Sequence, residues 1–87
     1  MKFEDAVIKV NELDTRPSDE TLLDFYGLYK QATVGDCKIP KPSYFIIKNK
    51  DVYKWEAWNQ CRGMSEKEAR FEYVNLVKML LKSVKKE

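Results

Sequence analysis

With 87 residues, the chain has room for one domain, spanning 1–87, in which every element must contribute to a single core. Hydrophobic residues at 44% and charged residues at 34% exclude a disordered chain and predict a globular protein with a densely charged surface. Sixteen basic against fourteen acidic residues leave a formal net charge of +2. That falls far short of the basic excess of a nucleic-acid binder, so any anion site has to be local.

Phe3, Ala6, Val7, Val10 and Leu13 recur at three- and four-residue steps, which predicts a first helix with one buried stripe. It is expected to stop before Arg16 and Pro17, because the residue preceding a proline is pushed out of the helical region. Ser18 then offers an N-cap, and Asp19 and Glu20 put negative charge in the first turn of a second helix. That helix is expected to run to about Val34 and to end at Gly35, which supplies the left-handed residue of a C-terminal stop. From Asp36 to about Asn49 no helical period is found, and Pro40 and Pro42 interrupt any hydrogen-bond ladder. The apolar run at 44–47 has no partner strand, so it reads as part of a long connection pressed onto helices.

A third helix is expected from about residue 50 to 62, with Val52, Trp55 and Trp58 at three-residue steps and a stop at Gly63. Ser65 and Glu68 have the spacing of a capping box that opens a fourth helix. Ala69, Tyr73, Val74, Leu76, Val77, Leu80, Leu81 and Val84 mark its buried side, and the lysine-rich end from Lys82 reads as solvated. The expected fold class is therefore all-α, a small four-helix bundle.

Little supports catalysis. The chain has no histidine and only three glycines, without a nucleophile elbow or a phosphate-cradling loop. Cys37 and Cys61 lack close metal-ligand spacing and any imidazole to activate them or complete a zinc set. Neither an enzyme, a metal nor a cofactor is expected. With no secretory signal and no apolar run near the roughly 18 to 20 residues that span a bilayer, the expected compartment is the cytosol, with both thiols reduced; a disulfide between them is the alternative, since the sequence does not give their separation.

Binding is better supported. Tyr26, Tyr29 and Lys30 are neighbours at helical spacing, and two phenols beside an ammonium suit an aromatic base that carries a phosphate. On spacing alone the tyrosines also fit a structural role, but Lys30 on the same face calls for an anion. Lys50 and Lys54 repeat the theme one turn apart, either around an anion or as a solvated pair. Trp55 and Trp58 read as packing. Gly27 inside a helix either permits a close approach or is merely tolerated.

These residues also carry a resemblance. Tyr26, Tyr29, Lys30, Gln31, Ala32, Thr33, Val34, Gly35 and Asp36 are followed by Lys54, Trp55, Glu56, Ala57, Trp58 and Asn59, and then by Gly63, Ser65, Ala69, Tyr73 and Val74. In identity, order and spacing this pattern closely resembles the acyl-CoA-binding protein family, from Phe3 to about Val77. The resemblance implies an up-down-down-up four-helix bundle that holds one long-chain fatty acyl-CoA without turning it over. It implies that Tyr26 donates its hydroxyl toward the ribose 3'-phosphate and that Tyr29 stacks on the adenine. Lys30 and Lys54 would neutralise the phosphate, and Lys50 corresponds to a further phosphate-side lysine. Tyr73 would close the site beside the nucleotide and the start of the acyl chain.

Two departures from the family pattern stand out. Asn11 occupies a place where many members carry a lysine, with Lys9 half a turn away, and the 37–49 loop is about two residues longer than usual. The function implied is that of an intracellular acyl-CoA carrier and pool former, monomeric, with transient contacts to acyl-CoA-using enzymes or membranes. The competing expectation is a helical protein-interaction module that exposes its loop aromatics to a partner.

Overall fold

The apolar stripe at the start of the chain forms α1 (Phe3–Asn11). The computed structural model describes residues 1–42 and 49–85, with the side chains at positions 49, 50, 84 and 85 excepted. The apolar run at 44–47 and the side chain of Lys50 therefore lie outside the described residues. Helix α1 buries Ala6 and rests Phe3, Val7 and Val10 against the core. It ends earlier than its periodicity suggested, so Leu13 lies beyond it. The Asn11 amide donates to the carbonyl of Val7 at 3.0 Å, and residues 12–15 turn away. Asparagine, aspartate and threonine side chains compete with the helical ladder, and Asn11, Asp14 and Thr15 crowd this segment.

Helix α2 (Asp19–Thr33) begins as expected, with Ser18 Oγ accepting from the Thr21 amide at 3.2 Å. It ends at Val34 and Gly35, and Gly35 has φ +100°, a conformation that costs other residues a clash at Cβ. Helix α3 (Asn49–Asn59) is shorter than expected. Its last residues tighten into i→i+3 bonds, Cys61 amide to Trp58 at 3.0 Å and Arg62 amide to Asn59 at 3.1 Å, a common way to satisfy orphan carbonyls at a helix end. Helix α4 (Glu66–Lys85) opens with the Glu68 amide on Ser65 Oγ at 3.0 Å, and it stays helical past Lys82 to Lys85.

Contacts between helices fix their directions. Phe3 meets Tyr73, and Val10 packs in the same core as Leu80 and Leu81, so α1 and α4 run parallel. Phe25 meets Tyr73, and Gln31 reaches the carbonyl of Met64, so α2 opposes α4. Lys54 meets Tyr26, and Trp58 meets Lys30, so α3 runs with α2. The bundle is thus up-down-down-up, and only the long connection between α2 and α3 permits two successive parallel helices.

Ala6, Phe25, Tyr73 and Val77 form the core where α1, α2 and α4 meet. Helix α3 packs on α2 outside this core. At the seam between them, a Cβ at Gly27 would stand 2.4 Å from the carbonyl oxygen of Ala57. Gly27 is therefore required for a close approach of two helices.

No helix among the described residues is long and apolar enough to cross a membrane. Cys37, buried, and Cys61, half-buried, are not joined to each other in this structure.

Candidate functional site

The predicted cluster on α2 divides between two neighbours. Tyr26 and Lys30 lie one turn apart on α2, and Lys54 and Trp58 lie one turn apart on α3. Because the helices are parallel, the two pairs face each other with opposite chemistry at each level. Lys54 Nζ stands 5.5 Å from the centroid of the Tyr26 ring, and Lys30 Nζ stands 5.0 Å from that of Trp58. Among the described residues neither ammonium has a carboxylate within ion-pair distance. A cation on an aromatic face gains about 0.5 to 1 kcal/mol where exposed and about 2 kcal/mol where desolvated, as on the buried Trp58, whereas each hydrogen bond to a charged group nets roughly 1.5 to 3 kcal/mol and a phosphate offers several. Both ammoniums are therefore held in place yet free to prefer an anion.

Tyr29 turns to the other flank. Its ring stacks on Phe3 with centroids 6.0 Å apart and planes 24° from parallel. Tyr73 lies behind the pair, 5.1 Å from Phe3 and 6.4 Å from Tyr29, with Phe25 at 5.0 Å. Tyr29 remains 42% exposed and Tyr73 only 4%, so Tyr29 offers surface while Tyr73 supports it from within. Burial, helped by Tyr29, pushes the Tyr73 phenol above its usual range. The Arg70 guanidinium stands 5.9 Å from the Phe3 ring and puts a cation on this flank as well.

Beside Tyr26 and Lys54 runs a groove of about 360 Å³ between α2 and α3, bordered by Leu22, Leu23 and Tyr53 and reaching Arg16 and Asp19. Arg16 and Asp19 are joined there by an ion pair of 2.8 Å. A polar, cationic end and an apolar trough thus adjoin.

The second half of the 26–36 segment does structural work. Gln31, almost fully buried, donates from Nε2 to Asp36 Oδ1 and to the carbonyl of Met64, each at 2.8 Å. Asp36 Oδ1 also accepts from the Gly63 amide at 2.9 Å. That backbone bond, the Gln31 bond and nearby Arg62 hold the Asp36 carboxyl below its ordinary value. Gly63 itself has φ +91°, so the stop before α4 is clamped to the stop after α2. Trp58 Nε1 donates to the Gly35 carbonyl at 2.8 Å, Trp55 Nε1 to Ile39 at 2.6 Å, and Arg62 to Cys37 at 3.0 Å.

The structure brings together Tyr26, Lys30 and Lys54, and separately Tyr29 and Tyr73; the side chain of Lys50 is outside the described residues. Trp58 is buried as expected, but it also carries Lys30. Phe3, Arg70 and the groove residues Leu22, Leu23 and Tyr53 were not singled out as site residues from the sequence. A cue existed for Trp58: the lysine-to-tryptophan step on α3 mirrors the tyrosine-to-lysine step on α2. Cys61 gives no sign of a nucleophile, because burial and the neighbouring Asp24 push its thiol up.

Comparison with known proteins is consistent with this geometry. The family model described as acyl CoA binding protein matches residues 1–77. The acyl-CoA-binding protein of Saccharomyces cerevisiae is 51% identical over 79 residues, which cover 91% of this chain and 88% of the relative. That of Gossypium hirsutum is 42% identical over 82 residues, covering 94% and 90%. The crystal structure of acyl-CoA-binding protein 2 from Oryza sativa aligns with a TM-score of 0.86 at 43% identity, covering 94% of this chain and 89% of that one. The four-helix fold, the family model and the relatives agree: the chain belongs to the acyl-CoA-binding protein family.

Proposed function

We propose that the protein binds one long-chain fatty acyl-CoA and acts as a non-catalytic carrier and pool former for it, as a monomer in the cytosol. The observation that carries this reading is the pair of ammoniums, Lys30 and Lys54, resting on Trp58 and Tyr26 without carboxylate partners among the described residues, with Lys54 and Tyr26 lining an apolar groove. In the proposed complex the 3'-phosphate draws both ammoniums off their rings, and Tyr26 donates its hydroxyl to the same phosphate. Tyr29 offers its exposed ring to the adenine, backed by Phe3 and Tyr73, and Tyr73 closes the site from below. Lys50 is assigned to the phosphate side on the family pattern alone. The acyl chain takes the groove between α2 and α3.

Magnitudes divide the labour between the two ends. Each buried methylene is worth about 0.8 kcal/mol, so the tail sets affinity, while the phosphate contacts select a CoA ester over a free acid. Such a carrier would hand its ligand to acyl-CoA-using enzymes or membranes by transient contact.

The test is calorimetric titration with palmitoyl-CoA below its micelle concentration, beside CoA alone and palmitate alone. One-to-one binding is expected for the thioester, with both fragments far weaker. Lys30→Ala and Lys54→Ala should each weaken it by about 1.5 kcal/mol or more, roughly tenfold. Absence of binding by the unmodified protein would overturn the reading in favour of a helical interaction module.

A further inference from the structure

The side of the bundle away from Tyr26 carries a second recess of the opposite charge. At 100° per residue, Asp24 and Leu28 lie roughly 160° and 200° around α2 from Tyr26. With α3 and α4 they border a groove of about 350 Å³ whose apolar lining is Leu28, Ala57, Leu76 and Met79. Asp24 and Glu72 stand along it as carboxylates. An adjoining groove of about 440 Å³ shares Asp24, Ala57 and Gln60 and adds Glu20 and Glu56. Among the described residues no lysine or arginine lines either groove; Lys41 reaches Glu56 from outside, at 3.2 Å, and Lys78 and Lys82 line the recess that continues beyond Glu72 and Met79 along α4. Met79 is 66% exposed, which leaves an adaptable thioether side chain in water beside the carboxylates.

Acidic residues on a helix usually do no more than solvate it, and an apolar trough alone would not say what fills it. Together they restrict the occupant. The apolar lining offers little to a bare metal ion or a polyamine, and the negative rim repels anionic lipid headgroups and acidic peptides. What satisfies both is a segment whose apolar stripe is flanked by lysine or arginine, laid in the groove as an amphipathic helix.

We infer that the recess formed by Leu28, Ala57, Leu76 and Met79, rimmed by Glu20, Asp24 and Glu72, docks a cationic amphipathic helix of a partner protein. The inference does not depend on what fills the Tyr26 site. The part of the recess lined by Leu28, Leu76 and Met79 shares no residue with the Tyr26 groove, so a partner seated there can bind while that groove is occupied; the Glu20 end shares Leu23 and Tyr53 with it. An apolar contact surrounded by opposite charges gives fast, salt-sensitive and readily reversed association.

The experiment uses isotope-labelled full-length protein and a synthetic amphipathic peptide of about four helical turns, with leucines at three- and four-residue steps and lysines elsewhere. Amide shifts should move at Asp24, Leu28, Ala57, Asn75 and Met79 and stay unchanged at Tyr29 and Lys54. The double variant Asp24→Lys/Glu72→Lys should bind this peptide about tenfold or more weakly, and it should instead accept the same peptide with glutamate for lysine. Met79→Lys should lose binding as well. Melting curves unchanged from the parent protein would establish that the variants, all at exposed positions, still fold.

Absence of binding by the lysine peptide would overturn the inference. So would shifts centred on the Tyr26 side, or equal affinity for the charge-reversed variant. Concentration-dependent shifts in the same groove without peptide would also overturn it, assigning the recess to a second copy of the chain. Palmitoyl-CoA titrated into the charge-reversed variant should bind as in the parent, which separates failure of this inference from failure of the carrier reading.

Discussion

The two halves of the 26–36 segment, continuous in sequence, are built to opposite standards. In the first, Tyr29 is open to solvent and Lys30 rests only on an indole face. In the second, Gln31 is enclosed and its amide nitrogen serves two acceptors, while Asp36 accepts from two donors. The first half is left open so that a ligand can satisfy it; the second is tied internally through Gln31 Nε2 and Asp36 Oδ1 so that the first is held still, while the buried Gln31 Oε1 has no partner among the described residues. A conspicuous motif thus mixes contact residues with scaffold residues, and burial separates them where sequence alone does not.

Gly27, inside the first half, should break this division most severely. Gly27→Ala puts a methyl group into the Ala57 carbonyl, with no flexible side chain to yield, so α3 must move. A stability loss of about 3 kcal/mol is expected, together with loss of acyl-CoA affinity, because Lys54 moves with α3. Denaturant unfolding and calorimetry on one preparation would check both.

A smaller effect that sharpens the comparison is expected from Gln31→Leu, which keeps the volume but removes both donated bonds. Stability should fall by about 2 kcal/mol, lowering the melting temperature by roughly 10 °C, with ligand affinity at a temperature well below the melt nearly unchanged. The reverse pattern is expected for Lys30→Ala. A Gln31 variant that lost affinity without losing stability would dissolve the distinction.

The smallest effect belongs to Asp36 and shows only in acid. Its carboxyl titrates lower in the folded protein than the ordinary 3.8, so between those values the unfolded chain binds more protons. The stabilisation is therefore complete above the ordinary value and is lost as pH falls through the folded one. Asp36→Asn should differ from the parent in unfolding midpoint near neutrality, and the difference should shrink as the pH drops below about 4.

What the sequence made legible was local. Ser18, Gly35 and Ser65 mark helix ends through bonds spanning a few residues, and each marks one in the structure, whereas Gly63 stands four residues beyond the last residue of α3. The end of α1 was hidden because Leu13 continues the apolar period past the point where Asn11 and its neighbours turn the backbone. The rung between Lys30 and Trp58 was hidden because it needs α2 and α3 to run parallel, which no local pattern states. Leu22, Leu23 and Tyr53 resemble any buried stripe; only the spacing of two helices leaves a trough between them.

Three bonds that hold α3 and its C-terminal turn to the 35–39 connection share one chemical property: each acceptor is a main-chain carbonyl, at Gly35, Cys37 or Ile39, and each donor is a ring N–H or guanidinium on Trp58, Arg62 or Trp55, whereas Asp36 takes part through its side chain, accepting from the Gly63 amide. A main-chain acceptor survives substitution of the residue that bears it. Side chains such as Lys38 and Ile39 can therefore drift between descendants without releasing the helix, whereas the donors on α3 and its C-terminal turn cannot. The connection is free to diversify because its anchorage is encoded elsewhere.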